Sequence, residues 1–247
     1  MFSFAKVRKK SIFLVLLLAL SVFLASITFI PRRDSIQASG VPEKKGKTII
    51  LDAGHGGEDC GAIGVNGVYE KDLNLLIATA LGEQLSGMGY EVLYTRTEDR
   101  LLYNEEENIK GLRKIYDLKN RVKFAQDYED SIFISIHMNA FSEEKYSGLQ
   151  VFYSENHPQS YALANAIQNQ VREKLQKSNH RSVKQGSGLY LMENLTCPAV
   201  LIECGFLSNK GECEKLCEKE YQKQLSFSIM CGIISVIEDS ATEGMKI

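Results

Sequence analysis

The chain has 247 residues, 44% hydrophobic and 24% charged, a composition that excludes a disordered chain and supports one substantial core. A formal net charge of -2, with no basic stripe beyond the extreme N-terminus, gives no electrostatic footing for nucleic-acid binding. The six cysteines (Cys60, Cys197, Cys204, Cys213, Cys217, Cys231) match no disulfide framework, and their redox state stays open.

Lys6, Arg8, Lys9 and Lys10 precede an uncharged run from Ser11 to Ile30, closed by Pro31-Arg32-Arg33. As a helix this run would cover roughly 30 Å, the hydrocarbon thickness of a bilayer. Residues 1–33 therefore read as an export segment. An uncleaved signal-anchor is favoured because Ala25-Ser26-Ile27 fits a cleavage site poorly; Gln37-Ala38-Ser39 is the alternative, a late site. The larger basic cluster keeps the N-terminus inside, so membrane attachment and an extracytoplasmic remainder are expected. Residues 34–46, polar and broken by Gly40, Pro42 and Gly46, read as a linker to a domain spanning 47–240.

In that domain Thr48–Leu51 reads as a strand and Glu70–Leu85 as a helix with Leu73, Leu76, Ile77, Ala80 and Leu81 on one face. Tyr90–Thr95 is the next strand, Thr97–Lys110 a polar surface excursion, and Leu112–Tyr128 a helix. Strands are expected at Ser131–Ile136, Gly148–Tyr153, Gly188–Met192 and Ala199–Glu203, with helices at Pro158–Gln176 and over about 210–238. The alternation argues for a three-layer α/β domain around a mostly parallel or mixed sheet.

Four polar residues stand at the ends of these elements. His55 follows the first strand inside Gly54-His55-Gly56-Gly57, Glu70 opens the first helix, His137 follows Ile132–Ile136, and Glu203 follows Ala199–Ile202. Functional crevices in open α/β sheets lie beyond the carboxyl ends of parallel strands, which would bring the four together. Two histidines and one carboxylate are a standard ligand set for catalytic zinc, leaving the second carboxylate as a general base. Glu70 alone could be only a favourable partner of the helix dipole, whereas Glu203, set between apolar residues, is costly to bury without a role. His157 and His180 read as surface residues. Cys213 and Cys217, four apart, read as ordinary helix residues.

The segments Leu51–Gly57, Glu70–Asn74, Ser135–Ala140 and Pro198–Asn209 resemble the motifs of the zinc-dependent N-acetylmuramoyl-L-alanine amidases of the amidase-3 family. The likeness runs from about Lys47 to near Ile237, almost the whole of the expected domain. It implies a phosphorylase/hydrolase-like α/β fold, three-layered, with a mixed, mostly parallel six-stranded sheet flanked by helices. It also implies Zn2+ held by His55, Glu70 and His137, with Glu203 as the catalytic carboxylate. The substrate implied is peptidoglycan, cut at the amide between the lactyl group of N-acetylmuramic acid and L-alanine. A single domain behind an export segment looks most like the sporulation- and germination-associated members that prepare spore cortex for muramic δ-lactam formation. A vegetative amidase or autolysin, a silent peptidoglycan-binding protein and a zinc deacetylase are the alternatives. One departure stands out: Glu193 occupies a position that is basic in many members. An accessory activator protein that completes the site is a further expectation.

Overall fold

The computed structural model describes residues 45–244 apart from Glu129. The expected export segment and most of the linker lie outside the described residues. Among the described residues, no helix is long and apolar enough to cross a membrane.

Six strands, β1 (Lys45–Ala53), β2 (Tyr90–Tyr94), β3 (Ser131–Asn139), β4 (Gln150–Tyr153), β5 (Lys184–Gln185) and β6 (Ala199–Phe206), form one sheet in the order β2-β1-β3-β6-β4-β5. Strands β2, β1, β3 and β6 are mutually parallel; β4 runs antiparallel to β6 and parallel to β5. The helices are α1 (Glu70–Gly87), α2 (Arg113–Gln126), α3 (Gln159–Lys174), α4 (Tyr190–Asn194), α5 (Lys210–Cys217) and α6 (Lys219–Gly244). The mixed, mostly parallel six-stranded sheet is the architecture expected from the sequence.

Alternation along the parallel strands assigns their side chains to two faces. Ile49 and Leu51 of β1, Ile132, Ile134 and Ile136 of β3, and Val200 and Ile202 of β6 pack against Leu73, Ile77, Leu81 and Leu85 of α1, Leu163 and Ile167 of α3, and Ile229 and Ile233 of α6. The opposite face, with Ile50, Phe133 and Leu201, is covered by Val122 and Ala125 of α2 and Leu191 and Met192 of α4. That second cover is shorter, with α2 of 14 residues and α4 of 5.

Several elements differ from the sequence expectation. Gly188–Met192 is no strand: a turn at Gly188 leads into α4, where Leu191 and Met192 bury together on the sheet instead of alternating across it. The edge strand is Lys184–Gln185, too short to carry a pattern. Leu76 is exposed, and Asn74 and Ala78 occupy the buried face of α1 in its place. The expected C-terminal helix is two helices, because Glu218 is extended between α5 and α6. Strands β3 and β6 run beyond their expected ends, so His137 and Glu203 lie within strands.

Candidate active site

Strand β1 ends at Ala53, and the chain turns through Gly54 and His55, whose carbonyls are both engaged, as is the Gly54 amide. The Gly54 amide donates to Ile136 O at 3.0 Å, continuing the ladder to β3. Two buried arginines collect the carbonyls: Arg96 Nε and Arg121 Nη1 donate to Ala53 O, Arg96 Nη2 to Gly54 O and Arg121 Nη2 to His55 O, at 2.8–3.0 Å. Arg121 is held by Asp52 (2.5 Å) and Asp117 (2.9 Å), and Asp52 also accepts from Thr95 and Ser135. This network lets His55 keep a left-handed backbone with φ 62°, a region that non-glycine residues enter at a cost. Burial pushes the Asp52 carboxyl up, but Arg121 and the Ser135 and Thr95 hydroxyls outweigh it and leave the group below its usual range.

From His55 the loop travels out and returns through an Ile63–Tyr69 bridge, which delivers Glu70 to the first turn of α1. Glu70 Oε2 accepts from the Ala62 amide (2.8 Å) and Oε1 from the Met138 amide (3.0 Å). Oε1 also lies 3.2 Å from His55 Nε2 and 3.0 Å from His137 Nδ1. The two imidazoles meet edge to face, their centroids 4.9 Å apart. His55, Glu70 and His137 thus offer one ligand atom each, all within 4.8 Å of one another, a group that can hold a metal ion. The loop glycines make room for it: a Cβ on Gly54 would strike the His137 ring, and one on Gly61 would lie 2.5 Å from Glu70 Oε2 and 2.8 Å from His55 Cδ2.

Asp59 completes the set. Its Oδ2 is 2.8 Å from His55 Nδ1, which turns Nε2 towards Glu70 and His137, and Lys114 holds the same oxygen at 2.9 Å. Such carboxylate–histidine pairs orient metal-ligating imidazoles. Burial pushes His55 down, but Asp59 and Glu70 overcome it and raise its pKa to about 9; Glu70 is driven far below the usual carboxylate range despite its burial.

Glu203 is the direct cross-strand neighbour of His137 in the parallel β3–β6 ladder and of Gln150 in the antiparallel β4–β6 ladder. Its Oε2 is buried with no hydrogen-bond partner among the described residues. Burial and the nearby Glu70, opposed by His137 and His55, push its pKa up to about 7. A carboxylate so poised can take up or release a proton near neutrality.

All four sequence-predicted residues are therefore together. His157 lies elsewhere, lining a cavity with Lys47 and Pro198, and His180 is exposed. Asp59, Arg121 and Arg96 were not anticipated, the only signal for them being an acid four residues after His55 within the glycine-rich loop. Asp52 and Asn74, whose Nδ2 donates to Gly54 O at 3.0 Å, lay inside the motif segments with no role assigned. Glu193, the departure noted in the sequence, works within its own turn, where Oε1 accepts from the Gly188 amide at 2.7 Å. All six cysteines are free.

The sequence profile described as N-acetylmuramoyl-L-alanine amidase (Amidase_3) matches residues 49–235. The chain belongs to this amidase family. The match contains all four clustered residues. The chain is 38% identical over 228 residues to the germination-specific N-acetylmuramoyl-L-alanine amidase of Bacillus subtilis (strain 168), covering 92% of this chain and 95% of that relative. It is similar to the solved structure of the CwlD amidase from Clostridioides difficile in complex with the GerS lipoprotein, with TM-score 0.75, 40% identity, and coverage of 78% of this chain and 99% of that one. The N-acetylmuramoyl-L-alanine amidase AmiC2 of Nostoc punctiforme matches at TM-score 0.68 and 25% identity, over 79% of this chain and 99% of that structure. The shared α/β fold and the enzyme class follow from these likenesses.

Proposed function

We propose that this amidase is zinc-dependent and cuts the lactyl–L-alanine amide of spore-cortex peptidoglycan, allowing muramic δ-lactam to form. The observation that carries the reading is the convergence of His55, Glu70 and His137 on one point, with the unpartnered Glu203 oxygen on the neighbouring strand.

Two imidazole nitrogens and one carboxylate oxygen suit zinc, which would lower the pKa of a water to about 7 and polarise the scissile carbonyl. His55, Glu70 and His137 would hold the ion, with Asp59 fixing the His55 ring. Glu203 accepts a proton from the attacking water at Oε2 as the C–O bond forms at the lactyl carbon. It returns that proton to the alanine nitrogen as the C–N bond breaks. A pKa near 7 suits both transfers, because neither protonation state is strongly favoured over the other.

The cortex assignment is supported by the likeness to the germination-specific amidase of Bacillus subtilis. Residues 1–33 as export segment and anchor, residues 34–46 as linker and an extracytoplasmic site of action belong to the same proposal, as does an accessory protein. The CwlD relative was solved with a lipoprotein, which supports the last of these. Elemental analysis of the purified protein should find about one zinc per chain, and spores lacking the protein should contain cortex without muramic δ-lactam. A metal-free active enzyme, or normal δ-lactam in its absence, would refute the respective parts.

A further inference from the structure

The row of polar side chains that starts at the metal cluster does not stop at Glu203. His137 on β3, Glu203 on β6 and Gln150 on β4 are successive cross-strand partners, so their side chains stand side by side on one face of the sheet. Gln150 Oε1 accepts from Arg181 Nη1 at 3.3 Å, which makes Arg181 the next member of the row.

Arg181 is held firmly but not saturated. Its Nε donates to Ser147 O at 3.0 Å, and its guanidinium lies 4.6 Å from the centre of the Phe206 ring. Its backbone is fixed by Asn179 Oδ1 (3.0 Å) and by Arg172, which donates to Arg181 O at 2.6 Å. No carboxylate among the described residues lies within ion-pair distance of it.

Arg181 also lines a cavity of about 800 Å³ together with Lys174, Lys177, His180 and Lys215. The acid in that lining is Glu212, whose two oxygens are committed to the Gly148 amide (2.8 and 3.1 Å) and the Phe206 amide (2.7 Å). Four cations thus surround a hollow in a chain whose net charge is -2. A concave site of one sign of charge concentrates ligands of the other.

Neighbouring strands are about 4.8 Å apart, so Gln150, the hydrogen-bond partner of Arg181, stands roughly 10 Å along the row from His137. An extended peptide advances about 3.3 Å per residue, so the second and third residues of a peptide leaving the cut would reach the guanidinium. We propose that Arg181, backed by Lys174, Lys177 and Lys215, binds the free carboxylate beside the second residue of the stem peptide and is the specificity-determining residue for an acidic peptide. The proposal rests on the amidase reading. A guanidinium already fixed by Ser147, Gln150 and Phe206 loses little freedom when it pairs with a carboxylate.

The test uses two synthetic muramyl tetrapeptides that differ only in whether the glutamate α-carboxyl is a free acid or a carboxamide. The zinc-loaded wild-type protein should cleave the acid with kcat/KM about tenfold to a hundredfold above the amide, the size of one charged hydrogen bond, mostly through KM. Arg181→Ala should erase the difference between the two substrates, bringing the acid-to-amide ratio of kcat/KM to about one, while Arg181→Lys keeps part of the preference. Lys177→Ser/Lys215→Ser, which changes exposed side chains only, should shrink the preference and its sensitivity to salt. Equal rates on both substrates by wild type would overturn the proposal, as would an undiminished preference in Arg181→Ala. Failure of the wild type to cleave either substrate would instead overturn the amidase reading, and the proposal with it.

Discussion

Glu203 and His137 face each other as Cα partners across the parallel β3–β6 ladder, one carrying an unpartnered buried oxygen and the other a ring aimed at Glu70. Because the two side chains sit on adjacent strands, their separation is fixed by sheet geometry and not by a loop. Glu203→Gln keeps the shape and removes the proton site. The variant should bind zinc like wild type and lose about 100-fold to 10,000-fold in kcat, the usual share of a general base. Near-normal turnover by the zinc-loaded variant would remove Glu203 from the mechanism.

Asp59 reaches the metal cluster only through His55 Nδ1. Asp59→Asn should weaken zinc binding about 10-fold to 100-fold, the range seen when an orienting carboxylate is removed. Competition with a chromophoric chelator measures this directly. The fold should persist, since Asp59 is outside the hydrophobic core.

Gly61 has φ 65° and stands against both Glu70 and His55. Gly61→Ala adds a methyl group where those side chains already are, so the ligands must separate. The expected protein is folded by circular dichroism but holds substoichiometric zinc. Full zinc occupancy in this variant would show that the loop yields more easily than its contacts suggest.

The Asp52–Arg121 pair gives a pH dependence with a definite sign. The folded pKa of Asp52 is depressed, so its contribution to stability is present above the unfolded value of about 3.9 and is lost as pH falls through the folded value. Asp52→Asn leaves Arg121 with a buried charge paired to Asp117 alone and should cost about 3–5 kcal/mol at pH 7. The gap between wild type and variant should narrow in strong acid. Denaturant titrations at several pH values would show it; a pH-independent gap would mean the pair is not what Asp52 contributes.

The parallel strands and long helices were legible because their apolar periodicity is unambiguous, and the four chemical residues because each follows or opens such an element. Boundaries were less so. Nothing in Ile136-His137-Met138 announces that the ladder continues past Ile136, since backbone pairing and not apolar character extends the strand. Gly188–Met192 misled because five residues with three apolar side chains (Leu189, Leu191 and Met192) fit a strand or a single helical turn equally well. The supporting arginines were hidden for a different reason: Arg96 and Arg121 look like surface residues until the carbonyls of residues 53–55 are known to point at them.

The most direct test of the central claim is product analysis of cortex peptidoglycan digested by the zinc-loaded protein, read by mass spectrometry. The expected products are stem peptides with a free N-terminal alanine and glycan bearing free lactyl carboxyl groups, both absent when zinc is chelated. Glycan and peptide still joined, or loss of acetate alone, would contradict it.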